Sequence, residues 1–173
     1  MTQVTPSLKS KEKTKSKKNE TKDLAILPTT NTEPDSKLEQ SQIVFVVDDN
    51  EINRIVGQGI LNTLSMSIKT AVNGEDLVNQ LKDLQPSINL PIILMDCQMP
   101  VLDGYAATRL IREGQAGEWL KNIPIIAMTA DVMNDNRKEC KEAGMNDFIG
   151  KPFDPEKLKT LILQWSQNSP EKK

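Results

Sequence analysis

From residue 43 onward, short apolar runs alternate with segments in which apolar residues recur at helical spacing. Ile43 to Val47 is continuously apolar and rich in β-branched residues, which is typical of a strand buried on both faces of a parallel sheet. Met66 to Val72 alternates only weakly and predicts a more exposed strand near a sheet edge. Three further runs complete a predicted set of five strands, at 92–95, 123–128 and 146–150.

The segments between these strands predict five helices. The first is expected to carry Ile52, Ile55, Val56, Ile60 and Leu64 on one face, and the second Leu77, Val78, Leu81 and Leu84. A third runs from Asp103-Gly104 to about Arg112, a notably polar fourth covers 132–143, and a fifth follows Asp154-Pro155. Because strands and helices alternate, we predict an α/β doubly wound fold, a five-stranded parallel sheet with helices on both faces.

Residues 1–41 differ in composition from the rest of the chain, with six lysines between positions 9 and 18 and one apolar island at 24–27. Such a segment cannot bury enough surface to offset the entropy of ordering, so we predict a disordered Lys-rich tail or linker. The lysines also suit a tether to an acidic surface, but the interspersed acidic residues favour a solvated linker. We assign residues 42–168 to one domain and 169–173 to a frayed C-terminus.

Composition narrows the classes of function. A net charge of -2 and an aromatic content of 3% do not indicate a nucleic-acid surface. Histidine is absent, which removes histidine-based triads and most catalytic zinc sites. Cys97 and Cys140 are predicted to be reduced thiols rather than a disulfide. No segment approaches the ~20 consecutive apolar residues of a membrane span, and no secretory signal opens the chain, so we expect a cytoplasmic protein.

Charged and polar residues follow the predicted strands at the sheet edge where open parallel sheets bind ligands. Asp48 and Asp49 follow the first strand, and Asp96 ends the third. Thr129 ends the fourth strand, and Lys151 follows the fifth. We therefore expect three carboxylates, a hydroxyl and an amine to converge on one edge.

This set of groups suits phosphoryl chemistry. Carboxylates that lie close together raise one another's pKa unless a positive group is near. A hard divalent cation such as Mg²⁺ binds carboxylate oxygens together with phosphate, and Lys151 would add a second positive charge. The Thr129 hydroxyl suits a hydrogen bond to a phosphoryl oxygen, and an aspartate can act as a covalent nucleophile.

Each residue also has a purely structural interpretation. Asp48 and Asp49 alone would be explained more simply as helix caps, and Asp96 as a turn residue before Met-Pro. Thr129 alone would be an ordinary strand residue. Their combination at matching strand ends favours the metal and phosphoryl site, whereas Phe148 suits a core aromatic as well as a mobile one.

The motifs Val47-Asp48-Asp49-Asn50, Met95-Asp96-Cys97-Gln98-Met99-Pro100, Asp103-Gly104, Thr129-Ala130 and Lys151-Pro152-Phe153 resemble the receiver domain of two-component response regulators. The similarity is greatest to receivers of hybrid histidine kinases, and it covers about 43–167 with every motif in order. It implies a flavodoxin-like, receiver-type (βα)5 fold and a role as phosphoacceptor in a phosphorelay.

The resemblance also implies a role for each site residue. Asp96 would be the phosphoacceptor, with Asp48, Asp49 and the backbone carbonyl of Gln98 joining it around Mg²⁺. Thr129 and Lys151 would bind the phosphoryl group, Thr129 and Phe148 would act as the switch, and Lys151-Pro152 would be a cis peptide. By the same analogy, Gln98 and Asp131 would tune the phosphoryl lifetime.

Partners follow from the same resemblance. The donor would be a sensor histidine kinase or a histidine phosphotransfer protein, and a target protein would bind the face formed by the fourth helix, fifth strand and fifth helix. We expect no DNA-binding output domain after residue 167, and therefore a stand-alone receiver or the terminal receiver of a larger kinase. The protein is not expected to turn over outside substrates as an enzyme.

Two alternatives stay open. A receiver-like adaptor would keep the fold without phosphorylation, although the complete set of acids, hydroxyl and lysine argues against it. A phosphatase of the haloacid dehalogenase type also uses an aspartate nucleophile with Mg²⁺. Its second acid lies two residues after the nucleophile, where this chain has Gln98. A flavin-binding module is disfavoured because no phosphate-cradling loop follows the first strand.

Overall fold

Five β/α units follow one another in the computed structural model, which describes residues 41–87, 89–130 and 134–167. The strands are β1 Ile43–Val47, β2 Ser67–Ala71, β3 Ile92–Asp96, β4 Ile125–Thr129 and β5 Asp147–Gly150. The helices are α1 Glu51–Leu61, α2 Gly74–Lys82, α3 Gly104–Arg112, α4 Asn134–Ala143 and α5 Pro155–Gln167. The predicted disordered tail lies outside the described residues, except for Ser41. The start of the polar fourth helix, Asp131 and the predicted frayed C-terminus also lie outside them.

All five strands pair in parallel, in the order β2-β1-β3-β4-β5. The predicted doubly wound fold is confirmed, and β2 lies at an edge of the sheet as its weak alternation indicated. The register pairs Val47 of β1 with Met95 of β3, one residue before Asp96. On the other side of β3, Asp96 pairs with Met128, so the end of β4 lies beside it. This register brings the carboxyl ends of β1, β3 and β4 together.

The central strands are buried on both faces because successive side chains point to opposite sides of the sheet. One face packs against α2, α3 and α4, with Phe45, Val47, Ile93 and Met95 among its core residues. The other face packs against α1 and α5, with Val44, Val46, Leu94, Leu158 and Ile162 among its core residues. The continuous apolar runs predicted this double burial correctly for β1, β3 and β4.

The predicted apolar face of the first helix is confirmed for Ile60 and Leu64, which pack against the core, and is wrong for the other three residues. Ile52, Ile55 and Val56 are 69%, 58% and 45% exposed, and the buried residues of α1 are Gly57 and Leu61. Gly57 faces the sheet so closely that a Cβ atom there would lie 3.0 Å from Cγ1 of Val46. The small residue lets α1 approach β1, and this contact turns the two isoleucines and the valine outward.

Side-chain caps begin two of the helices, and a glycine follows the end of a third. Asn50 caps α1 by accepting a hydrogen bond from the Ile52 amide, and Asp103 caps α3 from the Ala106 amide. Gly144 follows α4 with φ +94°, the left-handed conformation that glycine adopts most easily. The sequence did not predict the role of Arg112, whose guanidinium donates hydrogen bonds to the carbonyls of Gly144 and Lys121 and to Asn146 Oδ1.

Within the described ranges, no helix combines the length and the apolar character that crossing a membrane requires.

Candidate functional site

The polar residues predicted to converge do so at the carboxyl edge of the sheet. Asp48 follows β1, Asp96 ends β3, Thr129 ends β4 and Lys151 follows β5. A cleft of about 520 Å³ opens there. Its lining comprises Asn53, Asp96, Cys97, Gln98, Met128, Thr129, Ala130 and Lys151. The parallel strands bring together residues that are far apart in the chain.

Lys151 connects two of the acidic residues. Its Nζ atom lies 2.6 Å from Oδ2 of Asp48 and 2.8 Å from Oδ2 of Asp96. Burial by itself lowers the pKa of Lys151, but the contacts with both carboxylates outweigh burial and raise the pKa above its ordinary value. Lys151 therefore stays a cation at neutral pH, in contact with both carboxylates.

The Lys151-Pro152 peptide bond is cis, as the resemblance implied. It directly follows the lysine that bridges the two aspartates.

Three carboxylates form a cluster that suits a metal ion. One oxygen atom from each of Asp48, Asp49 and Asp96 lies within 4.8 Å of the other two. Asp48 is fully buried, Asp49 is exposed and Asp96 is half-buried. Oxygen ligands of this kind match the preference of Mg²⁺, which keeps several waters and needs only one or two carboxylates. Gln98 lies in the same cleft, and its backbone amide is 3.4 Å from Oδ1 of Asp96.

Burial raises the pKa of Asp96, although its contact with Lys151 acts in the opposite direction. The nearby Asp48 charge raises this pKa further, and the Gln98 amide lowers it. Additional positive charge at the cluster would favour the ionised form of Asp96, which is the nucleophilic form.

Two residues of α1 support the acidic pair, although the sequence suggested no role for either. Asn53 donates from Nδ2 to both carboxylate oxygens of Asp48, at 3.0 and 3.2 Å. Arg54 donates from one guanidinium nitrogen to the backbone carbonyls of Asp48 and Asp49, at 2.7 and 3.0 Å. The only signal in the sequence was position. Asn53 lies five residues after Asp48, and Arg54 lies five residues after Asp49, in a helix that begins beside the two aspartates.

Thr129 and Phe148 lie where the switch prediction needs them, but their roles stay predictions. Thr129 is buried at the end of β4 and lines the cleft. Phe148 is half-buried in β5, and the Arg137 guanidinium of α4 lies 4.2 Å from the centre of its ring. The stacking is a cation–π contact that joins α4 to β5.

Cys97 and Cys140 are both buried and free, with their sulfur atoms 3.9 Å apart. Burial raises the pKa of Cys97 to about 12, so the thiol stays protonated at neutral pH. The prediction of two reduced thiols agrees with this geometry, although the sequence did not predict that they would be in contact.

Comparison with known proteins identifies the family to which this chain is similar. The family model "Response regulator receiver domain" matches residues 44–163. The osmosensing histidine protein kinase SLN1 of Saccharomyces cerevisiae is 37% identical over 133 residues, which is 76% of this chain and 11% of that protein. This chain thus spans only a small part of that relative.

Two solved structures extend the comparison. The receiver domain of the sensor histidine kinase PA1611 from Pseudomonas aeruginosa, with a magnesium ion in its active site cleft, has 36% identity and a TM-score of 0.64. The match covers 73% of this chain and 98% of that one. The Saccharomyces cerevisiae complex of the histidine phosphotransfer protein Ypd1 with the receiver domain of Ssk1 matches with 29% identity and a TM-score of 0.65, over 77% of this chain and 95% of that one.

Proposed function

The chain belongs to the response regulator receiver domain family of two-component signalling, and on that premise we propose that it is a Mg²⁺-dependent phosphoacceptor switch. Asp96 accepts a phosphoryl group from a phosphohistidine on another protein or domain, since this chain contains no histidine. The observation that carries the proposal is the Lys151 ammonium group in contact with both Asp48 and Asp96, beside a cluster of three carboxylates.

The transfer makes one bond and breaks one. A carboxylate oxygen of Asp96 attacks phosphorus, the P–N bond to the donor imidazole breaks, and the imidazole nitrogen takes up a proton from solvent. The Lys151 ammonium and the Thr129 hydroxyl lie in the same cleft, where they can bind the oxygens of the transferred group. Positioning and charge stabilisation supply most of the catalysis in phosphoryl transfer.

Asp48, Asp49, Asp96 and the backbone carbonyl of Gln98 would hold Mg²⁺. The cluster fits this ion because three carboxylates offer oxygens within 4.8 Å of one another. When bound, Mg²⁺ neutralises charge on the phosphoryl group. The magnesium ion in the cleft of the PA1611 receiver supports this assignment.

We propose that the donor is a histidine phosphotransfer protein or domain that binds the exposed side of α1. Ile52, Ile55 and Val56 form an apolar patch there, each at least 45% exposed. Asn53 of the same helix lines the cleft, so a partner seated on the patch lies beside Asp96. The complex of Ypd1 with the Ssk1 receiver shows that a related receiver binds a partner of this class.

Replacing Ile55 by glutamate is expected to slow phosphoryl transfer from a phosphotransfer protein at least tenfold, because a charge in a buried apolar contact opposes binding. Labelling by acetyl phosphate should be unchanged, since Ile55 does not line the cleft. Rates are followed by gel autoradiography of the labelled receiver. Asn79→Glu, which adds the same charge at an exposed position of α2, is the matched control and should transfer at the wild-type rate. A normal rate for Ile55→Glu would place the donor elsewhere.

We propose that the output surface is the face of α4, β5 and α5. In the described part of α4, Cys140 and Ala143 are the buried residues, so the helix is held by few core contacts. The Arg137–Phe148 stack adds a contact that a change at Thr129 and β5 would alter. Elements held by few buried contacts are the ones that move in switches. The cytoplasmic location and the absence of turnover on outside substrates stay predictions.

The test of this function is incubation with acetyl phosphate and Mg²⁺, followed by intact mass spectrometry. We expect one phosphoryl adduct that survives acid and is lost in base, as an acyl phosphate is, and no adduct when EDTA replaces Mg²⁺. Unmodified protein under conditions that label a control receiver would favour the adaptor. Sustained phosphate release from unrelated phosphoesters at ~1 s⁻¹ or faster would favour the phosphatase.

A further inference from the structure

Asn53 is the polar side chain of the cleft that the proposed chemistry leaves without a role. It lies in the first turn of α1, half-buried, and its amide donates to both carboxylate oxygens of Asp48. Asp48 is fully buried, so its charge must be compensated inside the protein. Asn53 thus contacts the carboxylate that has least access to water.

Several protein donors hold the Asp48 carboxylate. Oδ1 accepts from the backbone amide of Asn50 at 2.9 Å and from Asn53, and Oδ2 accepts from Lys151 and from Asn53. These contacts reach both oxygens of the carboxylate, so they fix its orientation. In contrast, the exposed Asp49 carboxylate accepts no hydrogen bond from the part of the chain that the structure describes.

Asp48 shares Lys151 with Asp96, so the hydrogen bonds from Asn53 matter most when Lys151 binds elsewhere. Its ammonium group touches both Asp48 and Asp96, so a phosphoryl group on Asp96 would compete with Asp48 for it. A buried carboxylate that loses its cationic partner is strongly destabilised unless other donors remain. Asn53 and the Asn50 amide are those donors, because neither contacts Asp96.

We propose that Asn53 is a positioning residue that acts through Asp48, an inference that rests on the proposed function. Its amide fixes the Asp48 carboxylate in one orientation, which keeps the acidic cluster arranged for a divalent cation. The same hydrogen bonds would keep the Asp48 carboxylate in that orientation when Lys151 turns to the phosphoryl group. Groups that hold a metal-site carboxylate in this way typically contribute 10- to 100-fold to metal affinity.

The experiment measures Mg²⁺ binding by isothermal titration calorimetry on the full chain, without any phosphodonor. Asn53→Leu keeps a similar volume and removes both hydrogen bonds, and we expect Mg²⁺ to bind it about 10 to 100 times more weakly than the wild type. Asn79→Leu, which changes an exposed asparagine of α2, is the matched control and should bind as the wild type does.

A double-mutant cycle separates positioning from a general effect on folding. If Asn53 acts through Asp48, then Asn53→Leu should cause little further loss of Mg²⁺ affinity in an Asp48→Asn background. Wild-type affinity in Asn53→Leu, or losses that simply add in the double variant, would overturn the inference. In those cases the proposed function would still stand if the wild type is labelled in a Mg²⁺-dependent way. A wild type that neither binds Mg²⁺ nor becomes labelled would overturn both the proposed function and the role of Asn53.

Discussion

Asp96→Asn is expected to abolish phosphoryl labelling by acetyl phosphate and Mg²⁺ completely. The amide lacks the charged oxygen that attacks phosphorus, and the other two acids of the cluster are poor substitutes. Asp48 is fully buried against Lys151 and Asn53, and Asp49 forms no ion pair with a lysine in the part of the chain that the structure describes. Intact mass spectrometry of the variant should show only the unmodified chain under conditions that label the wild type.

The same variant should stay folded. Burial raises the pKa of Asp96 above its ordinary value. At a pH above the ordinary pKa of an aspartate, the ionised Asp96 carboxylate therefore destabilises the folded protein. Removing that charge should leave the melting temperature at pH 7 in EDTA equal to or above that of the wild type, and Lys151 keeps its 2.6 Å contact with Asp48. A lower melting temperature would mean that the Lys151 contact outweighs the burial penalty.

Asp103→Asn provides the matched control for the nucleophile. Asp103 lies in the same β3–α3 connection, and its Oδ1 atom caps α3 from the Ala106 amide at 2.7 Å. Asparagine caps helices as well as aspartate does, so both fold and labelling should be retained. Full labelling of Asp96→Asn, or equal loss in both variants, would contradict the assignment of Asp96.

Gly104→Ala is expected to have the largest effect on stability, a loss of more than about 3 kcal/mol in the free energy of unfolding. An added Cβ atom would lie 2.1 Å from the Asp96 carbonyl oxygen and 2.9 Å from Cγ of Met95. Both neighbours belong to the central strand β3, so relief of the clash requires a shift of the backbone at Asp96. We therefore expect weaker labelling together with a melting temperature roughly 10 °C or more below that of the wild type, measured by calorimetry.

Gly59→Ala is the control for this prediction, since it adds the same methyl group where nothing beyond the adjoining residues and the backbone of α1 itself lies within 4 Å. Gly59 is an exposed residue in the interior of α1, where alanine is favoured over glycine by about 0.5 to 1 kcal/mol. The melting temperature should therefore rise slightly and labelling should not change. A mild effect of Gly104→Ala, comparable to that of Gly59→Ala, would show that β3 and α3 can move apart with only a small loss in the free energy of unfolding.

Some features of the fold and site were readable from neighbouring residues. Continuous apolar runs marked β1, β3 and β4, because strands covered on both faces need apolar side chains at every position. Asp103 marked the start of the third helix, because capping depends on residues a few positions apart. Asp48, Asp96, Thr129 and Lys151 were found because parallel strands expose their carboxyl ends at one edge.

Other features escaped sequence reasoning because periodicity does not identify the packing partner. Ile52, Ile55 and Val56 repeat at helical spacing, yet the buried residues of α1 are Gly57 and Leu61, so these three side chains face outward. The sequence suggested no role for Asn53, since a single asparagine in a helix has no pattern. Its role became visible once the distances to Asp48 were known.

Local sequence therefore determined which segments became strands and helices, where they end, and which side chains reach the carboxyl edge. The tertiary structure alone decided the strand order β2-β1-β3-β4-β5, the outward side of α1, and which acids share Lys151. The reason is sequence separation: Lys151 lies 103 residues after Asp48, and no local preference sets a distance across that interval. Packing of helices on both faces of the sheet sets it, and with it the charge around Asp96.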